Sequence, residues 1–188
     1  MAFLFVFAFL GILVVVALFM GVGIYNSLVA LSKQVDRSWS NIDVILKQRH
    51  DEVPQLVEIV QQYVTHEKNI LDKVTEARTH YMNAKNTDEK VKASNEMTRA
   101  LGGVLAIGEA YPELKSSNHF LQLQGRLTGL EEQLADRREH FNDTVTTYNT
   151  RIAQFPDMFF AGLLNYHSME LFKVSESDKS MPSLKVKI

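Results

Sequence analysis

The chain has 188 residues, with 20 Lys and Arg against 22 Asp and Glu, a formal net charge of −2, and no cysteine. This near balance gives no electrostatic drive for nucleic-acid binding, and the missing thiols exclude a disulfide framework, a thiolate nucleophile and a thiolate metal site. Apolar residues are distributed unevenly, and the first charged residue is Lys33.

Residues 3–24 read FLFVFAFLGILVVVALFMGVGI. A bilayer core takes roughly 20 such residues in a helix, so this run can span it. The competing reading is a cleaved secretory signal, with a basic leading region, an apolar run of roughly 7–15 residues and a small-x-small cleavage site. No basic residue precedes this run and the run is too long, although Gly21 and Gly23 supply small residues. A retained transmembrane anchor over 1–24 is therefore expected. Lys33, Arg37, Lys47 and Arg49 follow the run and none precede it. The positive-inside rule then keeps the following domain in the cytoplasm, with Met1 outside, as a single-pass protein of the inner or plasma membrane.

Beyond the anchor, glycine and proline are sparse and no stretch alternates with period two, so the fold is predicted to be all-α. The anchor is expected to continue into an antiparallel up-down bundle of four long helices over 25–172, with 173–188 a flexible tail. Leu28, Leu31, Val35, Trp39, Ile42 and Ile45 lie on one face of the first helix, which is predicted to run to about Arg49. Its part beyond the bilayer, roughly 25 residues, would stand about 37 Å out.

His50 and Asp51 are expected to form a turn, with Asp51 capping the next helix and Pro54 tolerated in its first turn. The second helix carries Leu56, Val60, Tyr63, Leu71, Val74 and Tyr81 and fades over 83–86. Thr87 is expected to cap the third helix, which holds Val91, Met97, Leu101, Val104 and Leu105. Gly102 and Gly103 weaken that helix and Tyr111-Pro112 ends it. The fourth, over about 117–154, has the heptad-like stripe Phe120, Leu123, Leu127, Leu130, Leu134, Phe141, Val145, Tyr148 and Ile152. Trp39, the only tryptophan, is expected in the core.

Alternating helix directions bring Phe155-Pro156 back to the bilayer. Met158, Phe159, Phe160, Leu163 and Leu164 follow, with Tyr166. They either pack under the bundle or enter the headgroup region as membrane contacts.

Little in the chain suggests chemistry. A di-metal bundle needs Glu-x-x-His pairs on two helices, and none occurs. Glu76 and His80 are four apart, but one such pair is no metal site, so no metal and no cofactor are expected. Nucleophile-elbow and phosphate-loop motifs are absent, which argues against an enzyme. The charge-dense stretch Arg49, His50, Asp51 and Glu52 is a possible polar interaction site. Its plain alternative is a solvated turn. Tyr25-Asn26, Arg49, Glu76-Ala77-Arg78 and Tyr148-Asn149 lie on or beside apolar stripes, where buried polar groups need partners and are expected to pair across helices, fixing register or building a subunit interface.

YNSLVAL at 25–31, VDRSWSNIDVILKQRHDEVPQLV at 35–57, THEK at 65–68, TEAR at 75–78, YPELKSS at 111–117 and YNTRIAQFP at 148–156 together resemble the LemA family. The resemblance runs in order from about Tyr25 to Phe172. It implies a bacterial or archaeal membrane protein with a single N-terminal span and a helical, bundle-like domain. It supplies no catalytic mechanism.

The expected role is a membrane-anchored helical scaffold that binds the lipid bilayer and a protein partner or itself. A membrane-surface remodelling protein and an enzyme subunit with a polar site near His50 are the alternatives. A pocket converging on His50 would favour the enzyme, and a broad exposed apolar face the scaffold.

Overall fold

The computed structural model describes residues 1–64 and 67–173. The tail expected over 173–188 lies, apart from Lys173, outside the described residues. The described chain is all-α, with six helices and no strand. They are α1 (Ala2–Tyr63), α2 (Lys68–Asn83), α3 (Thr87–Ala110), α4 (Pro112–Lys115), α5 (Asn118–Ala153) and α6 (Asp157–Leu163). Only α1 is long and apolar enough, among the described residues, to cross a membrane.

The expected break at His50-Asp51 does not occur. The first helix continues through Pro54 to Tyr63, a run of 62 residues. Proline removes one backbone donor and crowds the carbonyl four residues earlier. Here the side chains outweigh that local cost. Leu46, Val53, Leu56 and Val60 form one buried stripe that crosses the proline, and Pro54 itself faces solvent. Burying such side chains contributes about 1.5–3 kcal/mol each, enough to offset one lost hydrogen bond. The second expected helix is therefore split between the end of α1 and α2. The four long helices become α1, α2, α3 and α5, with α4 and α6 as short additions.

The start of α3 also differs by one residue. Asn86, not Thr87, is the N-cap, and its side-chain oxygen accepts from the Glu89 amide at 2.9 Å. The Glu89 carboxylate reaches back to the Lys85 amide at 2.7 Å, so the cap satisfies one first-turn donor and one amide just before the helix. At the other end, α3 stops at Tyr111-Pro112 as expected.

The chain forms two compact units. The first comprises Met1–Asn41 and Arg138–Leu171. Ile24, Leu28 and Ala161 are buried together there, with Ile152, Phe160 and Tyr166 packed around them. Trp39 meets Phe141 edge-on at 5.6 Å between ring centres. The segment after α6 is tied to α5 by side chains that read its backbone. Tyr148 Oη donates to the His167 carbonyl at 3.1 Å. The Asn149 carboxamide donates to the Met169 carbonyl and accepts from the Met169 N–H, both at 2.8 Å.

The second unit comprises Ile42–Arg137 with Phe172 and Lys173. Its core is formed by Val53, Leu56 and Val60 of α1, Leu71 and Val74 of α2, Met97, Leu101 and Val104 of α3, Leu114, and Phe120, Leu123 and Leu127 of α5. The stripe on α5 thus serves both units: Phe120 to Leu134 in the second, and Phe141, Val145 and Tyr148 in the first.

Candidate functional site

Two groups of residues invite a functional reading, one in each unit. The first is the charge-dense stretch of α1. Successive residues of a helix point about 100° apart, so four consecutive polar side chains cannot share a face. The structure separates them accordingly. Arg49 turns into the core of the second unit and is 1% exposed. It donates to the Ser94 carbonyl at 2.8 Å, to Ser94 Oγ at 3.0 Å and to Thr98 Oγ1 at 2.9 Å, and it pairs with Glu131. His50 is buried against Tyr81, 5.4 Å between ring centres. Its Nδ1 lies 3.4 Å from the neighbouring Asp51 carboxylate and its Nε2 makes no hydrogen bond. Asp51 is exposed. Glu52 pairs with Arg126 of α5 at 3.1 Å.

Arg49 therefore points to α3 and α5, His50 to α2, and Glu52 to another part of α5. They tie α1 to its neighbours: Asp51 and Glu52 line one open cleft with Gln48 and Arg126, but neither Arg49 nor His50 enters it. A second cluster beside them has no precedent in the sequence reading. Asp43 Oδ1 accepts from Tyr81 Oη at 3.0 Å and from Lys90 Nζ at 2.6 Å. Burial, then the hydrogen bond to Asp43, pushes the Tyr81 phenol well above its ordinary range. Asp43 and His50 are seven apart on α1, a spacing that marks a shared face but names no partner.

His80 and Glu76 do meet, though loosely, at 3.9 Å. The closer partner is Glu96 of α3, whose carboxylate lies 2.7 Å from His80 Nδ1. The Glu96 hydrogen bond, with the charges of Glu96 and Glu76, raises the His80 pKa above 6.5. Among the described residues no cluster of three or more His, Cys, Asp or Glu is arranged to hold a metal ion.

The other group lies in the first unit. A turn after α5 is held by the Arg151–Asp157 ion pair, with Asp157 buried. It launches α6. Within α6 and the residue after it, Ala161 packs inward and Phe160 lies half-buried against Gly21 of α1. Met158, Phe159, Leu163 and Leu164 are exposed, the most open being Leu163 at 83%. Phe155, just before α6, is exposed and meets the Phe159 ring edge-on at 5.8 Å. The five residues singled out in the sequence thus divide: one packs on the last turns of the apolar run and four face outward. Among the described residues of the second unit, the exposed large apolar side chains are isolated ones, Val44 and Tyr63 far apart on α1, Met82 on α2 and Leu121 on α5. Such scattered residues are ordinary for a soluble surface.

Comparison with known proteins gives a consistent relationship. The model of the LemA family matches residues 38–187. Magnetosome protein MamQ 1 of Paramagnetospirillum magneticum is 22% identical over 175 residues, covering 79% of this chain and 64% of its own length. Magnetosome protein MamQ of Magnetospirillum gryphiswaldense is 22% identical over 174 residues with the same coverage. Protein LemA of Metamycoplasma hominis is 23% identical over 162 residues, covering 86% of this chain and 74% of its own length. The chain thus spans less than two thirds of the magnetosome relatives.

Proposed function

This chain belongs to the LemA family, and on that footing we propose that it is a membrane-anchored, non-catalytic interaction protein whose helix α6 also contacts the bilayer. The carrying observation is the set Phe155, Met158, Phe159, Leu163 and Leu164. They are exposed in the same unit as the end of the apolar run, where Phe160 rests on Gly21. So many apolar groups side by side are unfavourable in water, at about 0.8 kcal/mol per CH₂. Next to a spanning helix the bilayer is the nearest cover.

The non-catalytic role is supported by how the polar residues are used. Arg49, His50 and Glu52 are spent on separate contacts between helices rather than on one site. The same proposal includes a protein partner, or a second copy of the chain, and a domain that lies in the cytoplasm.

A single cysteine at Phe159, in a chain that has none, tests the membrane contact. Carrying a fluorophore in lipid nanodiscs, it should be quenched by lipids with spin-labelled chains and shielded from aqueous iodide. Full iodide quenching with no response to lipid quenchers would remove the contact. Affinity purification of the intact protein in mild detergent, with mass analysis, tests for a partner. Recovery of a lone monomer throughout would count against the interaction role.

A further inference from the structure

The exposed face of the anchor and the last turn of α6 enclose a groove. Ala17, Gly21 and Tyr25 of α1 form one wall, since residues four apart on a helix share a face. Phe160, Leu163 and Leu164 form the other. The space between them is about 570 Å³, within the roughly 300–1,000 Å³ usual for a small-molecule site. Every lining side chain is apolar save the phenol of Tyr25. We propose that this groove holds one acyl chain of a phospholipid from the leaflet on the domain's side. The proposal rests on the reading that the α6 segment contacts the bilayer.

The chemistry of the occupant follows from the lining. The groove is open along one side, and its apolar walls offer water no hydrogen-bond partners, so an apolar occupant that covers them is favoured over water. The lower wall belongs to a segment that fits a bilayer core, where the abundant apolar filler is the acyl chain. Tyr25 stands at the end of the apolar run, and tyrosine favours the headgroup level. It therefore marks the polar mouth of the groove, with Ala17 two turns deeper.

A second copy of the span fits less well. Ala17 and Gly21 form the small-xxx-small spacing that lets two spanning helices approach. Phe160 already occupies the notch at Gly21, where even an added methyl would meet its Cε1 at 3.3 Å. Leu163 and Leu164 flank the remaining space, so a helix cannot lie along both small residues. A flexible chain can.

The test uses the full-length protein in vesicles containing a phospholipid with a photoreactive diazirine midway along one acyl chain. After irradiation, adducts are mapped by peptide mass analysis. They should be enriched several-fold at Ala17, Leu163 and Leu164 over Ile12 and Val16 on the opposite face of α1. Ala17→Phe, which fills the groove, should reduce the groove adducts several-fold, while Val16→Phe should leave them unchanged. Equal labelling of both faces, unaffected by Ala17→Phe, would overturn the held chain while leaving the membrane contact of α6 standing. Absence of adducts on Leu163 and Leu164, with normal labelling of the span, would overturn the membrane contact and the groove with it. Span-to-span crosslinks through Ala17 would overturn the lipid occupant in favour of a second copy.

Discussion

Arg49 of α1 and Glu131 of α5, 82 residues apart, form an ion pair in the second unit. The arginine side chain is 2% exposed and the glutamate 33%. The pair is thus buried on one side only, and its two ends are not equivalent.

Glu131→Leu leaves the guanidinium buried without its counter-charge. We expect a loss of about 3 kcal/mol, the lower end for breaking a buried pair, because Ser94 and Thr98 still accept from it. The double variant Arg49→Met with Glu131→Leu removes both charges and should recover most of that loss. Urea unfolding of the single and double variants checks the order. A double variant weaker than the single one would overturn the account.

Two glycines of α3 should respond in opposite directions to alanine. At Gly102 an added Cβ meets nothing within 4 Å, and alanine should stabilise the helix by about 0.5–1 kcal/mol. At Gly108 it would meet Phe120 Cζ at 2.6 Å. Phe120 is 2% exposed, so its ring must shift against the packed core of the second unit. Gly108→Ala should therefore cost about 1–3 kcal/mol. Thermal melts of the two variants side by side settle the sign.

Leu134 is fully buried on α5. Leu134→Ala removes that side chain and should cost about 2–5 kcal/mol. A change within about 0.5 kcal/mol, as for surface sites, would place it outside the core.

His80 makes stability depend on pH. Its folded pKa is raised above 6.5 by the Glu96 hydrogen bond and the charges of Glu96 and Glu76. A raised histidine pKa means that the folded state holds the proton more tightly. The contribution is complete below about pH 6.5 and is lost as pH rises through the folded value. The ring is half exposed, so the effect is small. NMR titration should give His80 a pKa above 6.5 that falls towards it in Glu96→Gln. No movement in that variant would remove Glu96 as the cause.

Topology is open to direct measurement. Ser168 is exposed in the segment after α6. In intact cells Ser168→Cys should resist a membrane-impermeant thiol reagent and react once the cells are permeabilised. Rapid labelling before permeabilisation would reverse the orientation.

The sequence by itself determined the apolar run, the all-α class, the α3 end at Tyr111-Pro112 and the inward stripe of α5. These follow from the composition and spacing of consecutive residues, and from proline's effect on its neighbour. It also singled out Phe160 and its neighbours as residues needing cover. Only the tertiary structure decided that α1 passes through Pro54, because the compensating burial comes from α2, α3 and α5. The partners of the polar stretch were equally hidden. Arg49 was legible as a polar group beside an apolar stripe, in need of a partner on another helix, but not which one: it pairs with residues 45 and 82 positions away. Periodicity reports which side of a helix is apolar, but not which distant carboxylate, carbonyl or phenol will satisfy a polar group on it. The same holds for α6: its apolarity was legible, and that Phe160 turns to Gly21 while Phe159 and Leu163 turn away was settled by packing.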